Sequence, residues 1–309
     1  MPRPDFLIVG APRCGTTAMY EYLRRHPGIF MPEHKEPQYF GSDLAHLHAP
    51  LSEADYLGLF KGAKPGQRVG EASTWYLYSK TAAGEIKAFA PDARIIIMLR
   101  NPVDVMYSLH GELSFYGGEE ISDFAEALAA EADRKRGRRR GQSRRAEALY
   151  YRDAVRFAEQ VERYLETFGR EAVKIILFED FVADIAATYA DTLRFLDVDA
   201  SFQPQFEVVN ESKRARNRLI QGLIVRPPAP LARLIPMLRR VPLAHRVRSR
   251  IVRANSMSVD RPPLDPGLRR RLAADLAPEV KRLEALIDRD LSAWIPEGAS
   301  DAPPSAGTA

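Results

Sequence analysis

The stretch Phe6-Leu7-Ile8-Val9-Gly10-Ala11-Pro12-Arg13-Cys14-Gly15-Thr16-Thr17 decides the fold of this chain. Its first four residues are a short apolar run that ends in glycine, which predicts a buried strand of a parallel sheet. Residues 16–25 then carry apolar side chains at helical spacing, and His26-Pro27-Gly28 predicts the end of that helix. A glycine-bearing loop between a buried strand and a helix is a common phosphate-binding arrangement, because backbone N–H groups and the helix N-terminus attract the anion.

The same alternation continues along the chain. Apolar runs predict strands at Arg68–Glu71, at Arg94–Leu99 and at Lys174–Phe178. Helices are predicted over Ser79–Phe89, from Asn101-Pro102 onward and over about Glu147–Phe168. Uniformly apolar strands that alternate with helices predict an α/β fold, with a P-loop-like central parallel β-sheet flanked by helices on both faces. Ligands bind at the carboxyl ends of the strands in such sheets.

The composition of the 309 residues is that of a soluble globular protein, with 45% hydrophobic and 28% charged residues. We expect one domain over residues 1–296 and a disordered tail over residues 297–309, which is rich in Ala, Pro and Ser. The single cysteine, Cys14, excludes an internal disulfide. No stretch is long and apolar enough to span a bilayer. We therefore expect a cytoplasmic protein, and peripheral association with a membrane stays open.

Two segments concentrate the positive charge of a chain whose formal net charge is only +4. Residues 134–145 hold many arginines and no acid, and we expect a mobile basic loop there. Residues 226–253 are a basic insertion that several prolines interrupt, which disfavours one continuous amphipathic helix. Either segment could attract an anionic acceptor or a membrane surface, or could be a solvated loop. Nucleic-acid binding is not predicted, because no aromatic stacking residues lie among these arginines.

The loop itself favours phosphate chemistry other than that of an ATPase. Gly10 and Gly15 permit tight turns, and the hydroxyls of Thr16 and Thr17 add donors. A nucleotide-hydrolase loop carries Gly-Lys-Ser/Thr, whereas Thr16 stands here in the lysine position and the cation lies earlier, at Arg13. We interpret Cys14 as a small filler in the loop.

These residues resemble a known family. The segment Gly10–Thr17, followed by a helix that ends at His26-Pro27, resembles the 5′-phosphosulfate loop of sulfotransferases that use 3′-phosphoadenosine 5′-phosphosulfate (PAPS), in particular the bacterial and heparan-sulfate-type branch. Three further segments resemble the family's motifs in the same order: Lys35-Glu36-Pro37-Gln38-Tyr39-Phe40, Ile97–Pro102 with Ser108, and Val173–Asp180. The similarity extends to Leu283–Trp294, where the resemblance implies a helix.

The resemblance implies transfer of a sulfuryl group from PAPS to a hydroxyl or amine, without a metal ion, and release of adenosine 3′,5′-bisphosphate. It implies Glu36 as the general base and Arg13 as the group that stabilises the leaving phosphate. It also implies a set of donor-binding residues: Arg13, Cys14, Gly15, Thr16 and Thr17 at the 5′-phosphosulfate, Arg100 and Ser108 at the 3′-phosphate, and Lys213, Arg214 and Arg216 in a late loop over the nucleotide.

Two departures from the family pattern bear on the chemistry. The loop usually carries lysine where this chain has Arg13, and arginine cannot donate a proton. Heparan-type enzymes often carry a lysine inside the Glu-x-Ser/Thr segment, where this chain has Ala72. His34 and His110 are rival bases.

Two other functions stay open, a P-loop kinase or NTPase and a non-catalytic module that binds anions or membranes. The acceptor could be a small molecule, a lipid or a carbohydrate, and the sequence does not predict the oligomeric state.

Overall fold

The structure is a computed structural model that describes residues 2–47, 51–138, 146–206, 213–215, 256–258 and 261–295. Its backbone contacts group into two compact units. The first unit holds Met1–Met106, Arg152–Val209 and Asp265–Ala309, and the second holds Tyr107–Tyr151 and Asn210–Leu264. The expectation of one domain over residues 1–296 stays a prediction.

The first unit is built on a five-stranded parallel sheet. Its strands are β1 (Phe6–Gly10), β2 (Ile29–Phe30), β3 (Arg68–Ala72), β4 (Arg94–Leu99) and β5 (Val173–Leu177), in the spatial order β2-β3-β1-β4-β5. Strand β1 is central, with Leu7 opposite Glu71 on one side and Ile95 on the other. All five residues of β1 are buried, which explains its uninterrupted apolar sequence. The predicted α/β fold is confirmed.

Helices flank this sheet. Helix α1 (Thr16–Arg24) contacts β1 and β3. Over both units, the other helices of the described residues are, in chain order, α2 (Glu53–Gly58), α3 (Ala82–Phe89), α4 (Pro102–Tyr116), α5 (Phe124–Ala129), α6 (Glu131–Lys135), α7 (Tyr151–Ala154), α8 (Phe157–Phe168), α9 (Phe178–Ala183), α10 (Ile185–Phe195) and α11 (Pro266–Ile287). Helix α8 contacts β4 and β5, and α3 and α11 pack against α8. Short 3-10 turns occur at Ser42–Leu47, Ala146–Leu149, Arg170–Ala172 and Ser292–Trp294.

The single helix predicted over about Glu147–Phe168 is wrong, because the chain breaks between α7 and α8. The side-chain amide of Gln160 donates to the carbonyl of Asp153 at 3.0 Å, and the N–H of Arg156 closes a tighter turn on the same carbonyl at 3.2 Å. Val155 and Phe157, on either side of the break, are both buried. The break therefore lets two close apolar residues reach the core, which one continuous helical face would not allow.

Two predicted helix boundaries also move. The helix expected from Ser79 begins at Ala82, because the Ser79 hydroxyl accepts the N–H groups of Thr81 and Ala82. The helix expected over Leu283–Trp294 is wrong beyond Ile287, since Asp288 adopts the left-handed conformation that ends α11.

The second unit contains α5, α6, most of α4 and an antiparallel pair of strands, β6 (Lys213–Ala215) and β7 (Ser256–Ser258). The basic loop predicted from residue 134 begins later than expected, since Arg134 and Lys135 belong to α6. Arg134 is buried and pairs with the buried Glu119 at 2.7 Å, and the Tyr151 hydroxyl donates to the other oxygen of Glu119 at 2.8 Å. The rest of the predicted loop from residue 139, the insertion at 226–253 and the tail at 297–309 lie outside the described residues.

Candidate functional site

The loop from Gly10 to Thr17 joins the end of β1 to the start of α1. The N–H of Ala11 donates to the carbonyl of Met98 at 2.7 Å, which fixes the loop to the neighbouring strand β4. Gly15 is the N-cap of α1 with φ 85°, and a Cβ atom there would lie 3.0 Å from the ring of Phe178. Glycine is therefore required by both the backbone and the neighbouring ring. The first turn of α1 contains no acidic side chain, so its N–H groups and helix dipole suit an anionic ligand.

Cys14 has the environment of a structural thiol. The residue is fully buried, and its Sγ donates a weak hydrogen bond to the carbonyl of Pro12 at 3.5 Å. Burial raises the pKa of the thiol far above its ordinary value, while the nearby charges of Arg100 and Arg13 oppose that increase. The interpretation of Cys14 as a filler agrees with this environment, because a thiol held protonated is a poor nucleophile.

Glu36 lies on the segment that follows β2, and three side chains hold its carboxylate. Lys35 Nζ lies 3.1 Å and Thr74 Oγ1 lies 3.0 Å from Oε1, while Gln38 Nε2 lies 3.0 Å from Oε2. The N–H of Glu36 donates to the carbonyl of Ala72, at the end of β3, at 2.9 Å. The carboxylate is therefore fixed in position, as a general base must be.

The backbone around Glu36 is unusual. Glu36 and Gln38 both have positive φ, at 62° and 53°, in the left-handed region that side-chain-bearing residues seldom adopt. Each such residue costs on the order of 1–3 kcal/mol, and such residues cluster at functional sites. Directly after them, the N–H groups of Tyr39 and Phe40 donate to the hydroxyl of Tyr76 at 2.8 and 3.2 Å. These contacts keep the strained segment in place.

Lys35 is a site residue that the sequence reasoning missed. Its Nζ lies 3.5 Å from the hydroxyl of Thr16, at the first residue of α1, as well as 3.1 Å from Glu36. The ammonium group thus connects the loop to the candidate base. One signal in the sequence could have found it: a loop without its usual lysine is followed by a lysine directly beside the candidate base.

Arg100 approaches the loop from the end of β4. Its guanidinium lies over the ring of Phe178, 4.7 Å from the ring centre. The same ring packs against Gly15, so Phe178 places Arg100 beside the loop. The N–H of Asn101 donates to the carboxylate of Glu179 at 3.2 Å, which holds the start of α4 close to α9.

A second carboxyl group, that of Glu71, lies beneath Glu36 on β3. Its side chain is fully buried, and among the described residues no donor meets hydrogen-bond geometry with either oxygen. Burial raises the pKa of Glu71 to about 8; the hydroxyls of Tyr76 and Tyr56 oppose this increase and the charge of Glu36 adds to it. Glu71 is therefore a protonated acid near neutral pH, next to a carboxylate that three donors hold.

The structure brings some of the predicted residues together. Arg13, Cys14, Gly15, Thr16 and Thr17 form the loop, and Glu36 and Arg100 lie beside it. Ser108 lies on α4 within the second unit, and its role stays a prediction. Only the backbone of Lys213 and Arg214 is described, as part of β6, and Arg216 lies outside the described residues, so these three also stay predictions.

The two rival bases have contrasting surroundings. His34 is exposed. His110 is buried between the carbonyl of Ile121, 2.9 Å from Nε2, and the guanidinium of Arg261, 2.8 Å from Nδ1. Nε2 must then donate and Nδ1 accept, and burial lowers the pKa of the imidazole. Both ring nitrogens of His110 are occupied, which argues against a role as base.

Within the described ranges, no group of three or more His, Cys, Asp or Glu side chains is placed to hold a metal ion. No described helix combines the length and the apolar character needed to cross a membrane.

The comparisons with known proteins identify the family. The chain belongs to the sulfotransferase family, whose model matches residues 4–203. A crystal structure of a sulfotransferase from Alicyclobacillus acidocaldarius is 33% identical, with a TM-score of 0.70 over 95% of this chain and 99% of that one. The family and fold predicted from the sequence are thus confirmed.

Two curated relatives have named carbohydrate specificities. Mouse carbohydrate sulfotransferase 15 is 27% identical over 287 residues, which cover 75% of this chain and 50% of the relative. Mouse heparan sulfate glucosamine 3-O-sulfotransferase 6 is 31% identical over 126 residues, which cover 41% of this chain and 31% of the relative. The chain thus spans at most about half the length of these two relatives.

Proposed function

We propose that this chain transfers a sulfuryl group from PAPS to a hydroxyl or amine of an acceptor. The observation that carries the proposal is the position of Lys35, which contacts both the Thr16 hydroxyl of the loop and the carboxylate of Glu36. A loop that suits an anion and a carboxylate that is fixed in position are thereby adjacent. Sulfuryl transfer requires both, because negative charge develops on the departing phosphate while the acceptor loses a proton.

On the donor side, the loop residues Arg13 to Thr17 would hold the 5′-phosphosulfate. The geometry of Gly15 supports this assignment, because its left-handed φ lets the loop turn directly into α1, whose first N–H groups suit an anion. Arg100, fixed on Phe178, would bind the 3′-phosphate. The proposal also assigns Ser108, Lys213, Arg214 and Arg216 to the donor, on the family resemblance alone.

On the acceptor side, Glu36 would take the proton of the attacking group. Arg13 would stabilise the leaving phosphate by charge alone, because a guanidinium does not give up its proton. We propose a carbohydrate as the first class of acceptor to test, since relatives are named for carbohydrate and heparan sulfate substrates. Lipids and small molecules are the alternatives.

We also propose that the protein works in the cytoplasm. The supporting observation is its single cysteine, Cys14, which is buried and held protonated. A fluorescent fusion to the full chain and fractionation of the cells would test this. Recovery of the protein from an exported or a tightly membrane-bound fraction would contradict it.

Titration calorimetry separates the proposed function from a kinase or NTPase. We expect adenosine 3′,5′-bisphosphate to bind without Mg²⁺ and to bind more tightly than ATP, since Thr16 replaces the lysine that an ATP-binding loop needs. A preference for Mg-ATP would overturn the proposal. Absence of binding by either nucleotide would favour a non-catalytic module instead.

The variant Glu36→Gln tests the base. It should retain affinity for adenosine 3′,5′-bisphosphate while sulfuryl transfer to an accepted substrate falls by roughly 10²–10⁴-fold. Glu33→Gln is the matched control, because Glu33 is an exposed carboxylate three residues away. Full turnover by Glu36→Gln would assign the base to another residue.

A further inference from the structure

We propose that Lys35 is a catalytic residue that binds the leaving 5′-phosphate and, by doing so, releases Glu36 to act as the base. The inference rests on the proposed function and deepens it. The loop has no lysine, and Lys35, on the segment that carries Glu36, would supply the missing ammonium group.

The position of Lys35 is the first step. Its Nζ lies 3.5 Å from Thr16 Oγ1, and Thr16 is the first residue of α1. An anion on the N–H groups of that helix terminus would lie beside the Thr16 hydroxyl and hence beside Nζ. The Lys35 side chain is 17% exposed, so most of it is held between the loop and Glu36 rather than extended into solvent.

The second step concerns charge. Without a donor, the Lys35 ammonium is paired with the Glu36 carboxylate at 3.1 Å. A hydrogen bond from a cation stabilises the ionised carboxylate and so makes it a weaker base. The 5′-phosphosulfate of the donor carries a negative charge on both its phosphate and its sulfate, against a single one on a carboxylate, and would draw the ammonium toward the loop. Gln38 and Thr74 would still hold Glu36, which would be the stronger base only while a donor is bound.

The third step is the transfer itself. The bond between sulfur and the bridging phosphate oxygen breaks, and its electron pair stays on that oxygen. A new bond forms between sulfur and the acceptor oxygen or nitrogen, whose proton passes to Glu36. The Lys35 ammonium balances the charge on the phosphate oxygen and, unlike the guanidinium of Arg13, is able to donate a proton to it.

The rival explanation is that Lys35 only positions Glu36. The two explanations differ in what happens to product binding. A purely positioning lysine affects turnover and leaves affinity for adenosine 3′,5′-bisphosphate unchanged. A lysine that binds the 5′-phosphate affects both, and its effect on affinity does not depend on Glu36.

Calorimetry on the full chain distinguishes them. Lys35→Met should weaken binding of adenosine 3′,5′-bisphosphate by roughly tenfold to a hundredfold, the value of one charge-assisted hydrogen bond. The same loss should appear when Lys35→Met is added to Glu36→Gln. Affinity for adenosine 3′-monophosphate, which has no 5′-phosphate, should not change. Lys64→Met, which removes an exposed lysine of the same unit, is the control.

Lys35→Arg adds a check that does not depend on loss of the side chain. It should restore product affinity, since the charge returns.

Equal affinity of Lys35→Met and the native protein for adenosine 3′,5′-bisphosphate would overturn the inference while leaving the proposed function intact. Failure of the native protein to bind this nucleotide would instead remove the proposed function. Circular dichroism of each variant shows whether it is folded. If Lys35→Met does not fold, Lys35→Arg takes its place in the binding measurements.

Discussion

Replacement of Glu71 by glutamine should flatten the pH dependence of folding stability. The carboxyl group is fully buried on β3, and burial raises its pKa from an ordinary 4.5 to about 8. The charge of the neighbouring Glu36 adds to this increase, whereas the hydroxyls of Tyr76 and Tyr56 oppose it. The folded protein therefore keeps a proton on Glu71 at pH values where the unfolded chain has released it.

The sign and size of the effect follow from this difference. Between pH 4.5 and about 8 the folded state binds one proton more than the unfolded state, so the free energy of unfolding falls as pH rises. Each pH unit in this window corresponds to about 1.4 kcal/mol, and the whole window to roughly 5 kcal/mol. Because glutamine cannot ionise, the free energy of unfolding of Glu71→Gln does not fall in this way as pH rises. Its stability relative to the native protein should therefore rise by about 4 kcal/mol between about pH 5 and 8.

Urea unfolding followed by tryptophan fluorescence at several pH values measures the difference. Glu166→Gln, which replaces an exposed carboxylate on α8, is the control and should give a stability curve parallel to that of the native protein. If Glu71→Gln also gave a parallel curve from pH 5 to 8, Glu71 would be ionised in the folded state, and the reasoning from its burial would be refuted.

Two further predictions concern the loop and the second unit. Gly15→Ala should weaken binding of adenosine 3′,5′-bisphosphate at least tenfold, because the left-handed φ alone costs about 1–2 kcal/mol and a Cβ atom would press on Phe178 at 3.0 Å. Gly84→Ala, on α3 with open space around it, is the control, and equal affinity of both variants would contradict the prediction. Arg134→Met should destabilise the protein by about 3–5 kcal/mol in urea unfolding, because Glu119 is left buried without its cation. Adding Glu119→Gln should recover part of that loss; no loss in Arg134→Met would show that the buried pair is dispensable.

The sequence was sufficient to predict the centre of the fold. Strands β1 and β4 lie inside the sheet and are buried along almost their whole length, so their apolar runs are nearly uninterrupted and can be recognised from the sequence. Strand β5 lies at the edge of the sheet and was recognised from Ile175, Ile176 and Leu177, although Lys174 and Ile175 are only partly buried. The break between α7 and α8 could not be predicted from the sequence. It depends on a side chain, Gln160, that replaces a backbone hydrogen bond, and apolar periodicity alone does not reveal that.

The site was predictable only in part, for a similar reason. Glu36 was found because its motif resembles that of a family, and Gly15 because a strand, a glycine and a helix adjoin in the sequence. Lys35 was missed because its contact with Thr16 joins residues 19 apart through the fold. The burial of Glu71 is likewise a consequence of the strand order, since β3 lies between β2 and β1.

The placement of the cations explains how this loop differs from a nucleotide-hydrolase loop. A lysine inside the loop would bind phosphate whether or not a base was in place. Lys35 lies one residue before Glu36, and a strained backbone held by Tyr76 and Ala72 fixes both. Any shift of this segment moves the ammonium and the carboxylate together. Under the proposed function, binding of the donor and readiness of the base would therefore be linked through one short stretch of chain, and Arg13 would add charge to the loop without taking part in that link.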